Sequence, residues 1–304
     1  MNKEFKRQFI VVLSLMLAIN LTACSKVAAD RQQYSKASTS GADIVGGQIS
    51  DYRSAVASSI IFISTENQQG YSEICTGTFI SNKYILTAAH CIAKDKEGMS
   101  LTFRNYKFSK TQNILNLPIL ETYKLNFKNI NSQRHDLALI KYSGGLPFGA
   151  KIALLPNQIQ IKTQLSYKNS LSFLAIGYGK NTGHTSDDNL FTGEGVLRQK
   201  IMQSNLIKPT SDLFRIDQQK NKGGVCFGDS GSPALIKNKK TDLMTIIGVA
   251  SAVDTSRIKA DLNIMDSCMN ESIYLNMYFY SNLIKEFIRS NEQNKNSNQS
   301  SIVN

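Results

Sequence analysis

Three residues far apart in the chain have the types needed to move a proton and attack a carbonyl: His90, Asp136 and Ser230. Ser230 stands in the run GVCFGDSGSP, residues 224–233, directly after an acid, Asp229, with Gly228 and Gly231 framing the pair. A serine hydroxyl is nearly inert at neutral pH. It becomes a nucleophile only if a base with a pKa near 7 takes its proton during attack. Three histidines are available for that task. His184 lies in NTGHTSDDN, a polar loop, and reads as exposed, while His135 immediately precedes Asp136 and reads as structural. His90 ends the apolar run ILTAAHC. A lone histidine there is more often a core or surface residue than a catalyst, so its surroundings must decide. Glycine at 228 and 231 lets the backbone turn tightly and aim amides at a carbonyl with no Cβ in the way.

The elements that must hold these side chains are short. Apolar content of 41% with 19% charge describes a globular chain with a sizeable core. SSIIFIST, GTFISNKYILTAA, DLALIKY, LSFLAIGYG and MTIIGVASAV are rich in Ile, Val, Phe and Tyr and too short for helices. Many short strands without alternating helices predict an all-β sandwich or barrel. Helical spacing occurs once, over residues 277–290, where Leu283, Ile284, Phe287 and Ile288 form an apolar stripe. Residues 291–304 read as a disordered tail.

The N-terminus reads as a targeting signal. Lys3, Lys6 and Arg7 precede an apolar stretch of signal-peptide length, residues 1–23 in all. It ends in Leu21, Thr22, Ala23 and Cys24, which resembles a bacterial lipobox with lipid attached to Cys24. Ser25 in the next position fits sorting to an outer membrane. Residues 24–43 are small and polar, a flexible tether. The net charge of +12 is scattered, with no run longer than KNKK at 237–240 and no zinc-ligand or nucleic-acid-binding signature, so it reads as a solvated basic surface. No nucleic acid, metal or cofactor is expected. Setting Cys24 aside leaves Cys75, Cys91, Cys226 and Cys268 in a disulfide-permissive compartment, with three connectivities open.

Taken together, IVGG (44–47), CTGTFISNKYILTAAHC (75–91), HDLALI (135–140), GYG (177–179) and GDSGSP (228–233) resemble the chymotrypsin/trypsin family of serine endopeptidases, from Ile44 to about Ser290. The order His, Asp, Ser agrees. An α/β-hydrolase elbow, G-x-S-x-G, fails because Ser232 occupies its last glycine and the order differs. The resemblance implies two six-stranded antiparallel β-barrels and a C-terminal helix over residues 44–290, the barrels meeting near 154–158. It implies Ser230 as nucleophile, His90 as general base and Asp136 as its orienting carboxylate, with the backbone N–H groups of Gly228 and Ser230 as oxyanion hole. It also implies disulfides Cys75–Cys91 and Cys226–Cys268. Activation would follow a cut between Asp43 and Ile44 by another protease, the new Ile44 amine pairing with Asp229.

For specificity, the resemblance places Gly224 at the base of the primary pocket and Ser251, Val253 and Ser272 along its wall. Gly224 brings no charge and Val253 narrows the slot, which points to cleavage of proteins or peptides after small or medium aliphatic residues, as in elastases. The fourteen residues between Val253 and Cys268 carry Asp254, Asp261 and Asp266, any of which would reverse that preference by entering the pocket. The rival class is a binding protein on the same scaffold with an inactive centre. The precursor is expected at a bacterial membrane through its lipid alone, the activated domain in the periplasm or exterior.

Overall fold

The computed structural model describes residues 44–66, 72–105, 113–127, 135–160, 171–180, 196–205, 207–208, 210–238, 243–254 and 267–300. All belong to one compact unit, residues 42–304. The signal sequence, Cys24, Asp43, His184, Asp261 and Asp266 lie outside the described residues.

The apolar runs become strands of two antiparallel sheets. The first sheet holds β2 (Ile60–Glu66), β3 (Ser72–Phe79), β4 (Tyr84–Ala88), β5 (Met99–Asn105), β6 (Asn113–Asn116), β7 (Ile119–Leu125) and β8 (Leu137–Tyr142), in the order β6-β5-β2-β3-β4-β8-β7. The second holds β1 (Gln48–Ile49), β9 (Leu171–Gly177), β10 (Arg198–Ser204), β11 (Leu213–Asp217), β12 (Pro233–Lys237), β13 (Met244–Asp254) and β14 (Glu271–Asn276), in the order β1-β10-β9-β12-β13-β14-β11. This is the chymotrypsin-like all-β arrangement. Each sheet has seven strands where six apiece are expected, because short edge pieces add on: β1, paired with β10, and β6, paired with β5.

The core explains why several runs are apolar throughout instead of alternating. β4 and β8 are buried along their whole length. One face of each looks into its own sheet, where Ile85, Ala138 and Ile140 join Phe79 and Phe103. The other face, with Leu86, Leu137 and Leu139, packs against Ile176, Leu235, Ile246 and Val249 of the second sheet. A third cluster, including Phe173, Met202, Phe214 and Tyr274, fills the second sheet. The chain passes between sheets where Ala153 N–H donates to Phe79 (2.9 Å) and Leu154 N–H to Met244 (2.8 Å).

Helix α1 (Met277–Ser300) follows β14 directly. Its stripe is Met277, Tyr280 and Ile284, with Leu283, Phe287 and Ile288 partly buried on the central cluster. The helix leaves the second sheet and lies on the first: Phe287 meets Tyr123 edge-on at 5.3 Å and Tyr280 stacks on Phe127 at 5.9 Å. It also continues past Ser290 to Ser300, where a disordered tail is expected. The reason is polar. Glu292 accepts hydrogen bonds from Lys141 Nζ (2.7 Å), Tyr84 Oη (2.7 Å) and Lys83 Nζ (3.0 Å), and Asn291 Nδ2 donates to Tyr123 Oη (2.7 Å). The segment has no apolar stripe to announce this, but it ties the second sheet's helix to β4 and β8.

Those three donors, Lys141 first, hold the Glu292 carboxyl down at about 2. A lowered carboxyl stabilises the fold above its ordinary value and loses that contribution as pH falls. Glu292→Gln should therefore lower the thermal midpoint by a few degrees at pH 6–8, the deficit shrinking between about pH 4.5 and about 2. Melts across that range check it, and a deficit independent of pH would contradict the network.

Candidate active site

Strand pairing brings His90 and Asp136 together. β4 and β8 run antiparallel with Ala88 opposite Leu137, so the residues after β4 meet the residue before β8. The 3-10 turn Ala89–Cys91 carries His90 there, and Ala89 N–H donates to the Asp136 carbonyl at 3.0 Å. His90 Nδ1 lies 3.0 and 2.9 Å from the two Asp136 carboxylate oxygens, and His90 N–H donates to Oδ1 at 2.9 Å. An ionised carboxylate only accepts, so Nδ1 carries the proton and Nε2 is left as the basic nitrogen. The ring is half-exposed and lines a cavity of about 750 Å³ with Glu66, Glu73, Lys94, Asp95 and Glu97 among its walls.

Asp136 receives a further hydrogen bond from the Ser251 hydroxyl. Burial alone would push its carboxyl up, but the His90 hydrogen bond and charge, the Ser251 hydroxyl and the His90 N–H outweigh it and hold the carboxyl below its ordinary value. Ser251, expected along the pocket wall, thus spends its hydroxyl on Asp136. His135 is exposed.

Ser230 belongs to the loop leading into β12 and is held against the first sheet. Thr76 N–H donates to the Ser230 carbonyl at 2.8 Å, and Cys91 Sγ lies 3.6 Å from the same oxygen. Thr76 Oγ1 donates to the Gly228 carbonyl at 3.2 Å and accepts from Tyr178 N–H at 3.0 Å. Gly231 has φ +81°, and a Cβ there would stand 2.1 Å from Thr87 Oγ1 and 2.3 Å from the Thr76 carbonyl. Only glycine permits that approach. The N–H groups of Asp229, Gly231 and Ser232 donate to Cys226, Ala250 and Asp229 carbonyls respectively. Among the described residues, those of Gly228 and Ser230 have no partner.

Disulfides join Cys75 to Cys91 and Cys226 to Cys268. Cys75, Cys91 and His90 have ligand atoms within 4.8 Å of one another, but the disulfide consumes both thiolates, so the cluster is not a metal site.

Asp229 is fully buried. Its carboxylate accepts from Gly179 N–H (2.8 Å) and Cys226 N–H (2.9 Å), yet burial dominates and pushes the carboxyl up to about 7. Ile44 is buried in the second sheet's cluster beside Val225, and Lys200 Nζ donates to the Gly46 carbonyl at 2.8 Å. Within the chain the Ile44 nitrogen is a peptide amide, and Ile44 adopts φ +43°, a strained region for a β-branched residue.

Val253 and Ser272 face each other across β13 and β14. Sequence reasoning missed Gln218. It is wholly buried, its Nε2 donates to the carbonyls of Val225 (3.0 Å) and Cys268, and its Oε1 would stand 1.8 Å from any Cβ on Gly224. Nothing in the polar run DQQKNK singles it out, since both carbonyls come from other loops. Asp254 is committed to Arg215 at 3.1 Å, beside Glu271 at 3.1 Å from the same nitrogen.

The model of the family described as Trypsin matches residues 44–265. Human transmembrane protease serine 11A is 27% identical over 190 residues, 58% of this chain and 42% of that protein. Rabbit (Oryctolagus cuniculus) coagulation factor IX is 24% identical over 61% of this chain and 68% of its own length. Venom serine protease 34 of Apis mellifera is 28% identical over 59% of this chain and 45% of its own. The matched regions thus span from under half to about two thirds of these relatives. No helix among the described residues is long and apolar enough to cross a membrane. With the family match covering the first sheet, all of the second but β14, and the residues His90, Asp136 and Ser230, this chain belongs to the trypsin family.

Proposed function

We propose that this chain is a serine endopeptidase made as an inactive precursor. The observation that carries the reading is the pair of unpartnered N–H groups, on Gly228 and Ser230, in a loop pinned beside the His90–Asp136 pair. As Ser230 Oγ bonds to the scissile carbonyl carbon, its proton passes to His90 Nε2 and the carbonyl oxygen becomes an anion. The two N–H groups receive that anion, each worth about 3 kcal/mol in comparable sites. Asp136 stabilises the imidazolium, which returns the proton to the leaving amine as the C–N bond breaks. Water then repeats the sequence on the acyl-serine. Gly224 brings no charge and Val253 restricts width, which favours small or medium uncharged side chains before the cut, elastase-like in size.

Two features support activation by a cut between Asp43 and Ile44 by another protease. The positive φ of Ile44 exists only while residue 43 is attached, so cleavage releases strain of roughly 1–3 kcal/mol. The cut also creates an ammonium next to a region holding a fully buried acid, Asp229. With lipid on Cys24, the tether 24–43 would stay in the membrane while the catalytic domain leaves.

Ser230→Ala should fold as the parent does but lose several orders of magnitude in kcat; peptidase activity retained in that variant would overturn the assignment. The activation pair has a pH signature. In the uncut chain Asp229, raised from 3.8 to about 7, binds a proton more readily folded than unfolded, so stability falls as pH rises across that window. Once the amine pairs with it, this slope should vanish, and a loss should appear above about pH 8 as the amine deprotonates. Denaturant melts of cut and uncut Ser230→Ala protein compare them, and identical slopes would refute the pairing. For release, the cut form should leave membranes in a high-salt wash while uncut protein stays; cut, active enzyme that remains bound would count against it.

A further inference from the structure

Beside His90 lies a cavity of about 750 Å³, most of whose walls take no part in the proposed chemistry. Glu66, Glu73, Asp95 and Glu97 line it together with Lys94, so four carboxylates stand against one ammonium. All of these side chains are exposed. Their sign runs against the rest of the molecule, which carries a net charge of +12. Nor do they form one charged stretch of chain. Glu66 ends β2, Glu73 is the second residue of β3, and Lys94, Asp95 and Glu97 follow the turn that carries His90. Acids on separate segments repel one another where they converge, and a merely solvated face of a basic protein has no need of that arrangement.

The cavity's place relative to the bond being broken follows from the site. Every residue lining it falls between Thr65 and Gly98, on the first sheet's side of the seam. Gly224 and Val253, assigned above to the side chain before the cut, lie on the second sheet's side. The reacting carbonyl sits between the two, at Ser230 and the Gly228 N–H group. Strand β3 passes this point: Thr76 N–H donates to the Ser230 carbonyl at 2.8 Å, and a Cβ on Gly228 would stand 3.5 Å from Ile74 Cγ2. Glu73 is the next residue along β3, and there the strand borders the cavity. A substrate that leaves its acyl half on the second sheet's side carries its departing half past β3 and the His90 ring. That ring must reach the departing nitrogen to protonate it. The half after the cut therefore enters the cavity.

Resting on the peptidase reading above, we propose that this cavity receives the substrate residues that follow the cut and selects lysine or arginine there over neutral and acidic side chains. Glu66, Glu73, Asp95 and Glu97 are the selecting groups. At physiological salt the field of an exposed charge fades over about 8 Å, so lysines scattered elsewhere on the surface are screened from a side chain inside the cavity, and the four carboxylates are not. A single exposed ion pair contributes little. Here one ammonium meets several carboxylates at once, and an acidic side chain meets the same charges with the sign reversed. The two ends of the cleft thus differ: a cation is refused before the cut, where Gly224 brings no charge, and favoured after it. The substrate class is a basic segment cut on its N-terminal side, directly after a small or medium uncharged residue.

The test uses protein that a fluorophosphonate labels at Ser230, with peptides alike up to the cut and carrying lysine, norleucine or glutamate at the first, second or third position after it. At low salt kcat/KM should favour lysine over glutamate by about tenfold or more at one of these positions at least, with norleucine between them. The ratio should shrink severalfold in high salt. Asp95→Lys combined with Glu97→Lys should bring it to parity or below, and Glu66→Gln combined with Glu73→Gln should reduce it severalfold. All four residues are exposed, so the core is undisturbed, and the ratio is read within each variant, so a general change in activity cancels. Equal rates for the three side chains at all three positions would overturn the proposal and leave the peptidase reading standing. So would a preference for glutamate, or a lysine preference that both double variants leave intact. Protein that neither cleaves nor labels at Ser230 would remove the peptidase reading and this one with it.

Discussion

The hydrogen bond from Thr76 N–H to the Ser230 carbonyl ties the two halves of the site to each other. His90 and Asp136 are placed by β4 and β8 of the first sheet. Ser230 and its neighbouring N–H groups are placed by the approach to β12 of the second. Proton transfer tolerates errors of only a fraction of an ångström, so the seam must be as well defined as either sheet. Thr76 does this with both its groups, its N–H on Ser230 and its hydroxyl between Gly228 and Tyr178. Ser251 binds from the other direction, reaching from β13 to the Asp136 carboxylate. Gly231 lets the two backbones close to contact.

The seam needs support away from the site, and the central cluster gives it. Leu86, Leu137 and Leu139 of the first sheet meet Leu235, Ile246 and Val249 of the second, each buried side chain worth roughly 1.5–3 kcal/mol. Helix α1 closes the back, rising from β14 and fastened to Tyr84 and Lys141 by Glu292. Tyr84 and Lys141 lie on the two strands whose far ends carry His90 and Asp136. The strap therefore grips the elements that set the His90–Asp136 geometry, through rigid strands and not through a loop.

What could be read in the sequence depended on whether a residue's partner was nearby or far away. Strands β4, β8 and β13 announce themselves as unbroken apolar runs because both faces are buried. His90, Asp136 and Ser230 stand in compact local patterns, each next to residues that the turn or strand requires. Ser251 is different: its place on β13 was legible, but its bond to Asp136 spans 115 positions, and no local pattern encodes that. Gln218 sits in a run of polar residues that reads as a solvated turn, yet it is buried because carbonyls of Val225 and Cys268 converge on its amide. The helix beyond Ser290 was illegible for the same reason, since NEQNKNSNQS has no stripe and its partners, Lys83, Tyr84, Tyr123 and Lys141, are distant in the chain.

Asp136 and Asp229 make the physical logic of the seam plain, because the same side chain is driven in opposite directions. Both are largely removed from water, which alone would raise each. Asp136 has a histidine, a hydroxyl and a backbone N–H turned towards it, and its carboxyl falls below the ordinary value. Asp229 has two backbone N–H groups and a distant arginine, which do not suffice, and its carboxyl rises to about 7. The first carboxylate is complete within the folded chain and can serve as a fixed charge beside His90. The second is short of donors and sits in the loop that presents Gly228 and Ser230. Under the proposed activation, a buried acid left short of donors at that point would give the loop a reason to respond to a cation, and the peptide nitrogen of Ile44 would become one only when the bond before it is broken.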